Sequence, residues 1–372
     1  MCIRVHGCAF CIVFFELTTI EENLDGSESM SKRMGKRTVC LPSRPGILSW
    51  ASVAGSKEQA GPYGQQFDQV MQDELNGQQS FEAAERSILE SAVRLCAQKE
   101  RADLDDIQML LAGDLLNQII SAGFAARNLR IPFYGLYGAC STMSESLSVG
   151  SMLADGGYAD RIICATCSHF CTAERQYRAP LELGNQRTPT AQWTVTGAGA
   201  VLLAGGTAAK RARIVLTHTT CGKVIDLGIS DQNNMGAAMA PAAADTIAAH
   251  FQDVDRGFSD YDLVVTGDLG RLGRSLLIEL LQQSGIDVDE KKLFDCGCEI
   301  FAQDQDTHCG GSGCGCAASM LCAHILPQIS RGTLSRVLFL ATGALLSPTS
   351  SMQGESIPGV AHAVVLEHKK EE

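Results

Sequence analysis

The sequence lacks an apolar run long enough to cross a membrane and lacks a basic block. A membrane-spanning helix needs about 20 apolar residues, but the run CAFCIVFF ends at Glu16. Nucleic-acid binding proteins carry a basic patch or stripe, but here no block of about five lysines and arginines occurs and the net charge is −12. We therefore expect no transmembrane helix and no nucleic-acid partner, while contact with a membrane face stays open.

Signatures of phosphate, zinc and calcium sites are also missing. GAGAVLLAGG (Gly197 to Gly206) has glycines without the Lys-Ser/Thr pair of a phosphate loop. The Cys-Gly-Cys pairs at 296–298 and 314–316 have one intervening residue, whereas paired zinc ligands usually have about two to four. Asp304 and Asp306 lack the later glycine and glutamate of a calcium loop. The sequence predicts no cofactor and no metal.

Cysteine, in contrast, is abundant. The chain has 16 cysteines, yet 45% of its 372 residues are hydrophobic and only 6% are aromatic. Disulfide frameworks are typical of small secreted domains that cannot build a core, whereas a chain of this length can bury a sizeable one. We expect reduced thiols in a reducing compartment.

Residues 1–29 differ in character from the rest of the chain. The short apolar run after Arg4 ends without the small-residue cleavage site of a signal peptide. One interpretation is that translation starts at Met30 and that residues 1–29 are a non-native or disordered extension; the other is a real targeting segment. An intact-mass measurement on native protein distinguishes them.

Two pairs of similar segments indicate a duplication. DIQMLLAGDLL (Asp106 to Leu116) and DYDLVVTGDLG (Asp260 to Gly270) share an acidic start, an apolar core and Gly-Asp-Leu. GGYADRIICATCS (Gly156 to Ser168) likewise matches RGTLSRVLFLATG (Arg331 to Gly343). Helical patterns such as that of Phe81 to Glu100 alternate with these apolar, strand-like segments. Continuous apolar strands between helices predict an α/β fold whose sheets are covered on both faces.

The boundary between the duplicated halves is predicted in AGGTAAKRAR (Ala204 to Arg213), a small, glycine-containing and basic stretch. This divides the chain into halves at 30–207 and 208–372. In the second half, NMGAAMAPAAADTIAAHF (Asn234 to Phe251) is read as a turn, then Pro241 in a first helical turn, then a helix.

Cys140 is the first candidate for chemistry. It follows the strand-like IPFYGLYGA and precedes a helical pattern, so it is expected at a helix N-terminus. The positive end of a helix favours a thiolate there, and a nucleophile also needs a base within reach. The repeat places the glycine-rich loop HCGGSGCGC (His308 to Cys316) opposite Cys140, which makes His308 the candidate base. The alternatives are a buried structural thiol and a packed histidine.

The segment from Ser168 to Ala200 is the second candidate, because it concentrates cations in an acidic protein. The residues that stand out are His169, Arg175, Arg178, Arg187, Gln192 and Trp193. Guanidinium groups match carboxylates, and an indole offers a flat face. Either these arginines pair with surface Asp and Glu, or they bind a small, planar, anionic ligand.

Five segments together resemble the stage V sporulation protein AD family of endospore-forming bacteria. They are GLYGACSTMSESL, the segment from Ser168 to Ala200, GKVIDLGISDQNNMGAAMAPAAADTIAAHF, HCGGSGCGC and ATGALLSPTSSMQGESIPGVAHAVVLEH. The resemblance covers roughly residues 34 to 368. That family is similar to the thiolase and ketoacyl-synthase superfamily, which implies a five-layered αβαβα fold made of two duplicated halves.

Within the resemblance, Cys140 matches the superfamily's nucleophile, and His308 with Gly311 and Ser312 is similar to a thiolase loop. Gly359 stands where thiolases have a second, proton-shuttling cysteine, so condensing activity is not expected. The resemblance implies binding of dipicolinic acid, pyridine-2,6-dicarboxylate, free or as its calcium chelate. The predicted ligand-binding residues are Cys140, His169, Arg175, Arg178, Gln192, Trp193, His308 and Ser312.

The implied setting is the inner membrane of the forespore and spore. There the protein is expected as a peripheral homodimer that works with membrane-embedded SpoVA subunits in moving dipicolinic acid during sporulation and germination. Two other functions stay open: an acyltransferase that uses Cys140 and His308, and an assembly subunit that binds no ligand.

Overall fold

A computed structural model describes residues 31–177 and 187–370 of the chain. The predicted extension at 1–29 and the candidate ligand residue Arg178 lie outside these described residues. From Lys32 onward the chain forms one compact unit.

The strands of the first half run from Arg33 to Ala204. They are β1 Arg33–Met34, β2 Thr38–Cys40, β3 Gly46–Ala54, β4 Gln69–Val70, β5 Met109–Gly113, β6 Phe133–Gly135, β7 Arg161–Ser168, β8 Trp193–Thr194 and β9 Gly197–Ala204. Its helices are α1 Ser56–Gln59, α2 Phe81–Lys99, α3 Ile120–Leu129, α4 Thr142–Asp155 and α5 Phe170–Tyr177.

The strands of the second half begin at Ile214. They are β10 Ile214–Thr220, β11 Leu263–Thr266, β12 Leu293–Asp295, β13 Gly311–Ser312, β14 Arg336–Ala344 and β15 Gly359–His368. Its helices are α6 Met235–Val254, α7 Gly270–Gln283, α8 Cys296–Glu299, α9 Cys314–Met320, α10 Leu326–Ser330 and α11 Pro348–Met352, with a π-helical turn at Leu321–Ile325 between α9 and α10.

The order of the strands repeats between the halves. The main sheet runs β12-β11-β14-β15-β10-β3-β9-β7-β5-β6. The five main strands of each half can be numbered first to fifth along the chain. Counted from the outer edge of the sheet to its centre, both halves then have the order third, second, fourth, fifth, first. The two first strands, β3 and β10, pair antiparallel at the centre. The duplication predicted from the Gly-Asp-Leu repeat is therefore confirmed. The predicted boundary at residue 207 lies in the connection between β9 and β10.

Helices cover the strands in five layers. One core cluster joins α2 and α3 to the outer face of the first half, and another joins α6 and α7 to the outer face of the second. Between the halves lie α4 and α9, which contact strands of both, and α10, which packs on β10 and β15. Alternate residues of one strand serve different layers, as a period of two requires: Ile162 and Cys164 of β7 face the central helices, and Ile163 and Ala165 face α2.

The second-half helix containing Pro241 differs from the prediction. It begins at Met235, and Pro241 lies inside it instead of in its first turn. The physical reason is an earlier cap, because the Asn234 side chain accepts a hydrogen bond from the Ala237 amide at 3.3 Å and so satisfies one of the free N–H groups that start a helix. Sequence reading placed the start at the stronger proline signal.

Among the described helices, none combines the length and the apolar character needed to cross a membrane.

Candidate functional site

Cys140 lies where the first half meets the second. After β6 the chain passes through Gly138 and a single 3₁₀ turn, Ala139–Ser141, before α4 begins at Thr142. Ala139 has a φ of 49°, a left-handed conformation that is uncommon for a residue with a Cβ. Cys140 thus lies at a helix N-terminus, as predicted. Its side chain is only 8% exposed.

The Cys140 side chain forms part of the wall of a cavity between the halves. The cavity is narrow: about 50 Å³ of it can hold the centre of a water-sized molecule, and the volume reaches about 580 Å³ only when all empty space out to its open mouth is counted. The first half contributes Leu115, Ala139, Cys140, Ala173, Glu174, Tyr177 and Thr194, and the second contributes Gln232, Met235, Met239, Ser312, Ala344 and Leu346. The wall is therefore mostly apolar, with a few oxygen, nitrogen and sulfur atoms.

Ser312 and Thr194 enter this wall together because β13 and β8 form a short parallel pair. Ser312 is aligned with Thr194, and Gly311 is aligned with Trp193. Ser312, a predicted ligand residue, thus lies on the same cavity as Cys140. The loops of the two halves face each other there, as the repeat predicted.

Behind Ser312 lies Asp268, a fully buried carboxyl group that joins three elements. It accepts hydrogen bonds from the Gly313 amide at 2.8 Å, the Ser312 hydroxyl at 3.3 Å and the Thr342 hydroxyl at 3.0 Å. Burial raises its pKa to about 7, because a low-dielectric environment disfavours the ionised form. Asp268 therefore positions the second-half loop that faces Cys140.

The Cys140 thiol is not activated. Burial, and next the nearby Asp268 carboxyl group, raise its pKa well above the usual range of a thiol. A nucleophilic cysteine requires the opposite, a pKa lowered by a cation or an imidazolium. At neutral pH the group in the cavity wall is a neutral thiol.

His308 is not among the residues that line this cavity. Its ring is partly exposed and its Nε2 lies 3.7 Å from a carboxylate oxygen of Asp306. The chain turns at His308, whose φ is 49°, and the next four residues carry it into the cavity at Ser312. The structure therefore does not bring the candidate base to Cys140.

Gln192 is buried, but it holds backbone and is not part of the cavity wall. Its side-chain amide donates to the carbonyl oxygens of Asp268 at 2.8 Å and Gly311 at 2.7 Å. These two bonds fix the loop after β11 to the strand that carries Ser312. Gln192 supports the site from behind.

The flat face of the Trp193 ring contacts other side chains of the protein. Its ring stacks on Phe170 with centroids 3.8 Å apart, and the cationic groups of Lys57 and Arg187 lie 4.2 and 4.4 Å from the ring centroid. These are stacking and cation–π contacts. The ring is not among the residues lining the cavity.

His169 is completely buried and both its ring nitrogens are engaged. Nε2 lies 2.8 Å from the Glu74 carbonyl oxygen, and Nδ1 accepts from the Cys171 amide at 3.1 Å. Its ring, the Cys171 thiol and the Glu74 carboxylate place possible metal ligands within 4.8 Å of one another. Burial lowers the pKa of His169, so the neutral ring ties two backbone segments together.

Arg175 faces the other side of α5, where it forms an ion pair with Glu82 of α2. The interpretation of this arginine as a partner of a surface acid therefore applies, and it is absent from the cavity wall. Arg178, as noted, lies outside the described residues.

Sequence reading missed Asp268, Thr194, Gln232 and Glu174 as site residues. A usable signal existed for Asp268, since it is the central residue of the repeated Gly-Asp-Leu triplet. Its counterpart Asp114 is also buried, with its pKa raised by burial to about 6, and it accepts from the amides of Leu116 and Ala122. The triplet thus places a buried carboxyl group after the corresponding strand of each half, although the hydrogen-bond partners of the two groups differ.

Comparison with known proteins places these features in a context. A family model described as Stage V sporulation protein AD (SpoVAD) matches residues 35–367. The Stage V sporulation protein AD of Bacillus subtilis (strain 168) is 47% identical over 336 residues, which cover 90% of this chain and 98% of that protein.

Solved structures with this architecture are more distant in sequence. Human mitochondrial 3-ketoacyl-CoA thiolase in complex with CoA has a TM-score of 0.55 at 12% identity, over 89% of this chain and 99% of that one. A single-residue variant of OleA from Xanthomonas campestris has a TM-score of 0.58 at 13% identity, over 87% and 98%. At these identities the likeness establishes a thiolase-like fold and nothing about activity.

Proposed function

Because the chain belongs to the stage V sporulation protein AD family, we propose that this sporulation protein binds dipicolinic acid in the cavity beside Cys140. In this proposal it receives and releases the ligand with membrane-embedded SpoVA subunits, at the inner membrane of the forespore and spore, and carries out no turnover. The observation that carries the proposal is the cavity itself, which keeps the position of a thiolase-type site without an activated thiol.

The walls suit a flat ring with polar groups at its edge. Leu115, Met235 and Met239 present apolar surface to the faces of a pyridine ring. Thr194, which is aligned with Ser312 on the paired strands, presents a hydroxyl group that donates a hydrogen bond to a carboxylate. The Ser312 hydroxyl donates to Asp268 and presents its oxygen to the cavity. Such a division between an apolar body and a few placed polar groups is typical of small-molecule sites.

Charge supports the calcium chelate over the free dianion. Among the described lining residues there is no lysine, arginine or histidine, while Glu174 contributes a carboxyl group. The N-terminus of α4, which follows Cys140 directly, supplies about half a positive charge. A dianion would be poorly compensated there, whereas the chelate has a net charge near zero.

The same residues argue against acyl transfer. The described part of the cavity wall contains no histidine to act as a base, and the thiol pKa is raised instead of lowered. General-base catalysis needs a group of matched pKa within hydrogen-bond reach of the nucleophile. Asp268, the carboxyl group beside the thiol, has a pKa raised by burial to about 7 and itself raises the pKa of the Cys140 thiol, so it does not hold this cysteine as a thiolate.

Calorimetric titration of the purified full-length chain tests the proposal. We expect saturable binding of dipicolinate, tighter with equimolar calcium, and at least tenfold weaker binding of isophthalate, which lacks the chelating ring nitrogen. Thr194→Val should weaken binding by about tenfold, the value of one hydrogen bond to a charged group. Ser335→Ala, at an exposed serine far from the cavity, is the matched control.

An acyl-thioester release assay runs beside the titration. Turnover that disappears in Cys140→Ser would replace the proposal with an acyltransferase. Neither binding nor turnover would leave an assembly subunit.

We also propose that two copies pair through β6. In the described part of the chain β6 ends the path of the main sheet, and Tyr134 at its centre is 61% exposed. Ile120 and Phe124 of α3 are about 40% exposed beside it. An uncovered strand edge with apolar neighbours favours pairing with another strand, and a second copy provides the same edge.

A further inference from the structure

A basic cleft lies at the other end of the strands from the cavity. Arg44, Lys210, Lys369 and Lys370 line it, together with one acidic residue, Glu367. Counted to its open mouth, the cleft measures about 1110 Å³. Among the described residues that line the cleft, four cations stand against one carboxylate, in a chain whose net charge is −12.

Glu367 does not cancel the positive charge of the cleft. Glu367 is held by two guanidinium groups, with Arg44 at 3.2 Å and Arg336 at 2.8 Å. Lys369 donates to the Lys210 carbonyl oxygen at 2.7 Å, which brings the two lysine-bearing segments together. Lys210 and Lys370 are exposed, so their ammonium groups face solvent.

Three chain segments build the cleft, and the fold brings them together. They are the start of β3, the connection between β9 and β10, and the end of β15. Two more exposed arginines, Arg211 and Arg213, stand in the same connection; Arg211 pairs with Glu100 at 2.7 Å. No single stretch of sequence contains the whole set, which is why no basic block is visible in the sequence.

The register of β14 and β15 fixes where the cleft lies relative to the cavity. At one end of this pair Arg336 is opposite Glu367, beside the cleft; at the other end Ala344, a cavity residue, is opposite Gly359. A strand rises about 3.3 Å per residue, so the two sites are roughly 26 Å apart along the strands. A surface bound at the cleft leaves the cavity on the far side.

We propose that this basic cleft docks the protein on an anionic phospholipid surface, with the dipicolinate cavity facing away from the lipid. The inference deepens the proposed peripheral location, on which it rests, by naming the surface that meets the membrane. Ammonium and guanidinium groups bind phosphate head groups, and each basic residue near an anionic surface contributes about fivefold in affinity. The cleft is open and wide, as contact with a surface requires, and its donors are exposed and do not converge on one small anion.

Vesicle co-sedimentation with the full-length chain tests this docking. The vesicles contain phosphatidylcholine with about one third phosphatidylglycerol, and pure phosphatidylcholine vesicles are the neutral comparison. We expect binding to the anionic vesicles only, weakening steeply as salt is raised because the Debye length shortens. The triple variant Lys210→Gln, Lys369→Gln, Lys370→Gln should bind on the order of a hundredfold more weakly.

A matched triple variant removes the same charge elsewhere. Arg127, Lys223 and Lys291 are exposed residues outside the cleft, and Arg127→Gln, Lys223→Gln, Lys291→Gln should keep wild-type binding within about twofold. Equal sedimentation of the two triple variants, or equal binding of wild type to neutral and anionic vesicles, overturns the proposal.

Dipicolinate titration of the same samples separates this inference from the proposed function. The cleft variant should bind dipicolinate as wild type does, and vesicle-bound protein should keep the affinity of free protein because the cavity faces solution. Loss of ligand binding on the vesicles overturns the proposed orientation. If wild type binds anionic vesicles through the cleft but binds no dipicolinate anywhere, the proposed function fails and the docking surface stands.

Discussion

Replacing Asp268 with asparagine should remove a pH dependence of folding that this one carboxyl group creates. The asparagine oxygen can accept from the Gly313 amide and the Ser312 hydroxyl, as the aspartate oxygen does. Its NH₂ group then faces the Thr342 hydroxyl, which can accept instead of donate. The variant therefore imitates the protonated form of Asp268 and should fold to the same structure.

The magnitude follows from the pKa. Burial raises the pKa of Asp268 from 3.8 to about 7. Below pH 3.8 the carboxyl group is protonated in both states and its contribution is fully present. As the pH rises toward 7, the unfolded state ionises and the folded state does not, so wild type loses about 1.4 kcal/mol of stability per pH unit. Over roughly three units the loss is about 4 kcal/mol, and it stops once the folded form ionises too.

The assay compares free energies of unfolding from urea titrations between about pH 4 and pH 8. We expect Asp268→Asn to equal wild type near pH 4 and to exceed it by about 4 kcal/mol at pH 8. Taking the difference between the two proteins cancels the other titrating groups. Glu279→Gln, at an exposed position on α7, should follow wild type throughout. A variant whose stability runs parallel to wild type across this range would refute the assignment of a buried, proton-binding Asp268.

Three further predictions concern other parts of the molecule. Glu58 is buried, its pKa is raised by burial from 4.5 to about 8, and it accepts a hydrogen bond from the Thr196 amide at 3.0 Å. The free energy of unfolding of Glu58→Gln, measured by the same urea titrations, should therefore gain about 5 kcal/mol over that of wild type between pH 4.5 and 8. A Cβ on Gly113 would lie 2.0 Å from the Leu136 carbonyl oxygen, whereas one on Gly123 of α3 meets nothing within 4 Å. Calorimetric melting should therefore show Gly113→Ala losing about 2 kcal/mol or more and Gly123→Ala unchanged or stabilised by up to about 1 kcal/mol; equal effects would contradict the packing around the Gly-Asp-Leu turn. Tyr134→Lys should convert the proposed dimer to monomer in sedimentation velocity, while Tyr158→Lys, at a site 74% exposed and outside β6, should not; an unchanged sedimentation coefficient for Tyr134→Lys would exclude pairing through β6.

Much of the fold was predictable because its signals are local. Helix α2 occupies nearly the predicted range, Phe81–Lys99, since apolar residues at helical spacing mark one buried face. The strands β5 and β11 lie in the two Gly-Asp-Leu repeats. The start of α6 was wrong because Asn234 caps it seven residues before Pro241, and a cap is a weaker signal than a proline.

The candidate site was less predictable, because its polar residues are assigned by partners far away in the chain. Arg175 pairs with Glu82, 93 residues earlier, and His169 bonds the Glu74 backbone, 95 residues earlier. Both were predicted to bind ligand from their local density of cations. Among the described residues of the predicted set, only Cys140 and Ser312 line the cavity. Cys140 was identified from its place between a strand and a helix, and Ser312 belongs to the loop that the repeat sets opposite it.

The sequence by itself determined the family, the α/β class, the duplication and the place of Cys140 before a helix, since buried strands, helix faces and repeats are encoded in contiguous residues. Only the tertiary structure decided which polar groups surround Cys140 and where the cations gather. A cavity wall is assembled from loops of both halves, and the basic cleft from three separate segments. Burial then set the protonation of Cys140 and Asp268, because the cost of a charge depends on everything packed around it.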